Sequence, residues 1–174
     1  MLSGRLIYII GFMGSGKTTA GKKLASLLGW TFIDLDRKIE EEAKMTIPEI
    51  FSHHGEAWFR QAESDILKSS GSESGAVIST GGGAPCHADN MSFMLGTGLT
   101  IYLRLNPAQL VSRLSNAREE RPLIKGMKGE ELLGFITVKL AERENWYTQA
   151  ELIIDGFDLD IDNLNSRVKA TLKL

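Results

Sequence analysis

Short, unbroken apolar runs alternate along the chain with stretches whose apolar residues recur every three or four positions. The first run, Leu6 to Ile10 (LIYII), is rich in β-branched residues. A run apolar on both alternating sets of positions fits a strand buried on both faces, which is the habit of parallel sheets. From Lys17 the period becomes helical, with Leu24, Leu27 and Leu28 on one stripe and Gly29 placed to stop the helix. TFIDLD (31–36), AVIST (76–80), LTIYLRL (99–105) and ELIID (151–155) read as four further strands, and an amphipathic helix closes the chain from about Asp162. Thr46 with Pro48, and Asn106 with Pro107, are start signals for two of the intervening helices. Five strands alternating with helices predict an α/β chain built of right-handed βαβ units.

Two segments break the alternation. Residues 37–68 place a long helical insertion between the second and third strands, long enough to cover one side of a cleft. Residues 115–130, SNAREERPLIKGMKGE, are charged, hold Pro122, Gly126 and Gly129, and have no period. Such a segment is either a solvated loop or a mobile lid that carries cations.

Composition narrows the class. The 174 residues fit one domain with a real core, and a formal charge of −2 with a pI near 6.0 excludes a global basic field for nucleic acid. A local basic pocket for a small anion is still allowed. The apolar run before Gly11 is too short for a membrane span or a secretory signal, and the one cysteine, Cys86, can form no internal disulfide. Both features point to the cytoplasm, with Cys86 as a packed residue. His53, His54 and His87 lack the spacing of a zinc pair on a helix.

Gly11, Gly14, Gly16, Lys17 and Thr18 satisfy G-x-x-x-x-G-K-[ST], with a strand before the match and a helix after it. The glycines let successive N–H groups curl toward phosphate oxygens, and the helix adds the positive end of its dipole. Lys17 can reach the β and γ phosphates and the Thr18 hydroxyl can ligate magnesium. A dinucleotide fingerprint fits less well, because Gly14-Ser15-Gly16 is not followed by the required third glycine. Asp34 and Asp36 stand two apart at the carboxyl end of the second predicted strand, hence on one side of the sheet and at the ligand-binding end. One carboxylate could hold a magnesium water and the other orient a hydroxyl or accept its proton; alternatively, Asp36 merely caps the next helix. Gly81 to Gly83 lie at the corresponding end of the third strand, as a close-approach site or a plain turn. Spacing alone does not sort Arg60, Arg113, Arg118, Arg121 and Arg143.

In this order the residues resemble the shikimate kinase family over nearly the whole chain: GFMGSGKTTAGKKLA, FIDLD, FRQAE (59–63), VISTGGGA, RPLI from Arg121, and RENWY from Arg143. The resemblance implies a three-layer α/β/α fold of the P-loop, nucleoside-monophosphate-kinase type with a central five-stranded parallel sheet. It also implies a single kinase domain over 1–174, with a substrate-binding insertion at about 35–68 and a lid at about 113–130. The implied reaction moves the γ-phosphate of ATP to the 3-hydroxyl of shikimate, a step of aromatic amino-acid biosynthesis, with Mg2+ as cofactor and no nucleic acid or membrane partner, in a monomer. Position by position, the acceptor falls to Asp36, Arg60, Gly81, Gly82, Gly83 and Arg143, with the two arginines clamping its carboxylate. The nucleotide falls to Gly14, Ser15, Gly16, Lys17, Thr18, Thr19, Arg113 and Arg121, with Arg113 stacking on adenine. The metal falls to Thr18 directly, with Asp34 and Ser79 holding its waters, and Lys17, Asp36 and Arg121 are the catalytic set. In many family members the loop after the last strand carries an arginine or a Thr-Asn pair near the adenine. Here it reads DGFDLDID (155–162), which leaves the base contacts open. Two other readings compete: a kinase for another small hydroxy acid such as gluconate, and an inactive nucleotide-binding relative. Phe59-Arg60 and the triple glycine speak against the first, and intact Lys17, Asp36 and Arg121 against the second.

Overall fold

β1 (Leu6–Ile10) is buried along its entire length, as its unbroken apolar run requires. The structure, a computed structural model, describes residues 6–118 and 121–174; Glu119 and Glu120, inside the predicted lid, lie outside the described residues. After β1 come α1 (Lys17–Leu28), β2 (Thr31–Asp34), α2 (Leu35–Ala43), α3 (Ile47–Ser70), β3 (Ala76–Ser79), α4 (Asn90–Thr97) and β4 (Leu99–Arg104). The chain continues through α5 (Pro107–Ser115), α6 (Gly129–Tyr147), β5 (Leu152–Asp155) and α7 (Ile161–Leu172). Short 3-10 turns occupy Ala84–Cys86 and Pro122–Ile124.

Among the described residues the strands form one parallel sheet in the order β2-β3-β1-β4-β5. Alternate residues of each strand feed two cores. Ile7 and Ile9 pack with Leu24 of α1 and with Leu164 and Val168 of α7 on one face. Leu6, Tyr8 and Ile10 pack with residues of α2 through α6 on the other. The chain leaves β1 toward β2 on one side and returns from β3 to β4 on the other, so the crevice between the carboxyl ends of β1 and β3 is the switch point where ligands bind.

The predicted start signals are in place. Thr46 and Glu49 form a reciprocal capping box at the start of α3, and Asn106 and Gln109 do the same for α5. Gly29 ends α1 in the left-handed conformation. Three details differ from the expectations. Leu27 is exposed, so the buried stripe of α1 runs through Ala20, Leu24 and Ala25. The long helix of the insertion is kinked at Gly55 (φ 82°, ψ 173°). The second strand ends at Asp34, not Asp36, because the Asp34 side chain accepts a bond from the Arg37 N–H and caps α2. The capping role that Asp36 could have filled therefore belongs to Asp34, and Asp36 sits in the first turn of α2 without a capping role.

Candidate active site

The loop after β1 winds over the open end of α1. Gly14 (φ 79°) and Gly16 (φ 93°) are left-handed, and space is as short as conformation: a β-carbon on Gly14 would come 2.9 Å from the Leu114 side chain, and one on Gly16 2.9 Å from the Arg113 guanidinium. No acidic residue occupies the first turn of α1, and no side chain caps it. Its leading N–H groups are thus left for an anion. The Ser15 hydroxyl is buried beside them with no hydrogen-bond partner. Lys17 is only 8% exposed and donates to the carbonyls of Gly11 (2.9 Å) and Phe12 (2.8 Å). Burial pushes its ammonium down to about 8, against the pull of Asp36 and with the push of Arg121 and Arg143.

The Thr18 hydroxyl donates to Asp34 at 3.0 Å, and Asp34 pairs in register with Ser79 on the adjacent strand. Three oxygen-bearing side chains therefore line one cavity, between the start of α1 and the carboxyl ends of β2 and β3. An all-oxygen set of this kind suits a hard cation such as magnesium. Thr18, Asp34, Ser79, Lys17, Gly14, Gly16 and Thr19 line one cavity of about 200 Å³ together with Asp36, Gly81, Gly82 and Arg121.

A second cavity adjoins it, lined by Arg60, Arg143, Gly83, Phe51, Phe59 and Leu123, and it shares Asp36, Gly81, Gly82 and Arg121 with the first. The shared residues mark the junction between a phosphate end and a polar-and-apolar pocket. Asp36 faces Arg121 at 3.8 Å. Burial and the neighbouring Asp34 charge raise the Asp36 carboxyl above its ordinary range, opposed by Arg121 and Lys17. Arg60 lies over the Phe59 ring and donates to Glu63 at 2.8 Å, while Arg143 lies over Phe12 and is 7% exposed. Two guanidiniums in one recess are a fork for a carboxylate, and Phe51, Phe59 and Leu123 offer a wall for a carbon ring.

None of Gly81, Gly82 and Gly83 has a left-handed backbone. What they supply is room. A β-carbon on Gly81 would collide with Glu63, one on Gly83 would come 2.5 Å from the Arg60 guanidinium, and one on Gly82 would sit 3.2 Å from both Arg143 and the Met13 N–H. The close approach read from the sequence is thus made first by the protein's own side chains.

Every residue predicted for the site is in or beside these two cavities, with one change of setting. Arg113 donates to the carbonyls of Ser15, Gly156 and Phe157, tying the phosphate loop to the loop after β5. The acidic loop that lacks a basic residue meets Arg113 through its main chain. Sequence reasoning missed Glu63, although it stands in the quoted FRQAE stretch. Its carboxyl is fully buried and pushed up to about 7, chiefly by burial and against the attraction of Arg60. A glutamate one helical turn after Arg60 was the available signal. Phe51 and Leu123 were missed as well, because apolar wall residues are indistinguishable from core in a sequence.

The sequence profile of the shikimate kinase family matches residues 13–172. A shikimate kinase of Bacteroides fragilis is 48% identical over 147 residues, which is 84% of this chain and 82% of that one. The crystal structure of shikimate kinase from Bacteroides thetaiotaomicron superposes with a TM-score of 0.90 at 42% identity, covering 98% of this chain and 99% of that one. The shikimate kinase of Acinetobacter baumannii in complex with shikimate gives 0.87 at 32% identity, over 98% and 94%.

Two outcomes follow from the electrostatics and the packing. Because Lys17 must be cationic to meet phosphate and its free-enzyme value is about 8, kcat/KM for ATP should fall as pH rises through about 8. A pH profile of initial rates flat to well above that value would contradict the assignment. Gly81→Ala should lower turnover by roughly 10²-fold, since the displaced Glu63 carries Arg60 with it, and steady-state ADP release measures this.

Proposed function

The chain belongs to the shikimate kinase family, and we infer that it transfers the γ-phosphate of ATP to the 3-hydroxyl of shikimate, giving shikimate 3-phosphate and ADP. The observation that carries the site-level reading is the pair of adjoining cavities that share Asp36, Arg121, Gly81 and Gly82. One is built for phosphate, the other for a small carboxylate with hydroxyls.

Each residue then has a role. Arg60 and Arg143 clamp the acceptor carboxylate, with Glu63 holding Arg60 in place at 2.8 Å. Phe51, Phe59 and Leu123 flank the ring. Asp36 accepts a hydrogen bond from the attacking hydroxyl; its raised carboxyl makes it a better proton acceptor than an ordinary aspartate. The hydroxyl oxygen bonds to the γ-phosphorus as the bond to the β-bridging oxygen breaks, and the hydroxyl proton passes to Asp36. Lys17 and Arg121 meet the charge that gathers on the phosphoryl oxygens, in a transfer governed mainly by positioning and electrostatics. Thr18, with waters on Asp34 and Ser79, would hold Mg2+, which when bound screens the β and γ oxygens. The kinked α2–α3 insertion carries the acceptor side, and the segment bearing Arg121 and Pro122–Ile124 serves as the lid.

Among the described residues no helix is long and apolar enough to cross a membrane. With the lone free Cys86, that supports a cytoplasmic site of action.

With magnesium and ATP present, ADP release should depend on shikimate and not on gluconate. Gluconate-selective or acceptor-independent release would overturn the reading. Asp36→Asn should lower kcat by roughly 10²-fold or more while ATP binding, followed by titration calorimetry, survives. Arg121→Ala should lower kcat by roughly 10³-fold. A change confined to the KM for shikimate would reassign Arg121 to acceptor positioning.

A further inference from the structure

Arg143 and Tyr147 stand one turn apart on α6, so both project from the same face of the helix. That face meets the triple-glycine turn. The Tyr147 hydroxyl donates to the Gly82 carbonyl at 2.5 Å, and the residue is wholly buried. Its ring lies against Tyr102, with centroids 5.0 Å apart, and the Tyr102 hydroxyl donates to Glu144 at 3.0 Å, one position after Arg143. The phenol is therefore backed by β4, and its hydroxyl joins the Gly82 carbonyl, to which it donates, to the Arg143 guanidinium, from which it accepts. Gly82 is itself wedged: its β-carbon position is 3.2 Å from Arg143 on one side and 3.2 Å from the Met13 N–H of the phosphate loop on the other. A shift of the turn would change its spacing to both the acceptor fork and the donor loop.

We propose that Tyr147 is a positioning residue of the acceptor site: by holding the Gly82 carbonyl it sets the Gly81–Gly83 turn at the distance from Arg143 that a carboxylate acceptor needs. Tyr147 lines neither of the two cavities. The inference rests on the reading of shikimate as the acceptor. A phenol serves here where phenylalanine would not, because filling the space requires only the ring, whereas orienting the turn requires the donor. Without it, the part-buried Gly82 carbonyl loses its donor and the turn can relax toward another partner.

The test is steady-state kinetics of the full chain with Tyr147→Phe, which keeps the ring and removes the hydroxyl that reaches both Gly82 and Arg143. KM for shikimate should rise about ten-fold while kcat and the KM for ATP stay within about two-fold of wild type. A merely structural hydroxyl would lower the melting temperature and reduce the fraction of active enzyme, leaving both KM values unchanged; that result overturns the proposal. An equal rise in both KM values overturns it too. Tyr147→Met, which also lacks a donor, gives the same readout should the phenylalanine variant not fold, and failure of both to fold makes Tyr147 a core residue and removes the assignment. If wild type shows no shikimate-dependent ADP release, the acceptor reading itself has failed; if wild type turns over and Tyr147→Phe binds shikimate as wild type does, only the positioning role has.

Discussion

Three absent β-carbons, at Gly81, Gly82 and Gly83, are the constraint on which the cleft depends. The turn runs between the phosphate loop on one side and side chains from α3 and α6 on the other, and the clearances at its three positions are below ordinary van der Waals contact. Any side chain there would drive Glu63, Arg60 or Arg143 out of place. Because Gly82 is also wedged against the Met13 N–H, the donor and acceptor halves share one piece of backbone as a common wall. Their relative position is set by sheet packing between β1 and β3, where Thr80 donates to the Ile9 carbonyl, and does not depend on loops that could drift.

Around that wall the protein keeps charges that it would be cheaper to leave in water. Lys17, Arg143 and Glu63 are all under one-tenth exposed, and burying them opposes folding unless each finds partners. Lys17 has two carbonyls and Glu63 has Arg60 on one oxygen, while Glu63, Arg143 and Asp36 each retain a buried polar atom with no hydrogen-bond partner. On the proposed function, a carboxylate at Arg143 and a hydroxyl at Asp36 would complete two of those shells. Desolvation raises the proton affinity of Asp36, and on the proposed function it would also strengthen the field of Lys17 and Arg121 at the phosphoryl group.

Much of this was readable from the chain. The strand runs, the capping signals at Thr46 and Asn106 and the phosphate loop follow from local physics, and the structure places them as expected. The aspartate pair after the second strand differs in one respect: alternation along the strand ends two residues earlier than its pattern predicts, because a cap at Asp34 and a cap at Asp36 look alike without the third dimension. The roles of Arg60 and Arg143 came only through family resemblance, since no spacing rule brings α3 and α6 to one turn. Glu63 and Arg113 show the remaining gap. A buried carboxylate is recognisable by its surroundings, and a guanidinium bound to three main-chain carbonyls leaves no mark in the residues that supply them.

The Arg113 contacts also bear on how an acidic loop can serve beside a nucleotide. Side-chain charge in Asp155 to Asp162 would repel phosphate if it faced the cleft, but Asp155 accepts from the Phe157 N–H and Asp160 caps α7 through the N–H groups of Asp162 and Asn163. Two of its carboxylates are thus committed to shaping the loop, and what the loop presents to Arg113 is the carbonyl edge of Gly156 and Phe157. Arg113 in turn holds the Ser15 carbonyl, orienting the peptide unit that precedes Gly16 at the start of α1. A loop acidic in composition can therefore support an anion site, because the cation it fixes sets the geometry of the phosphate loop.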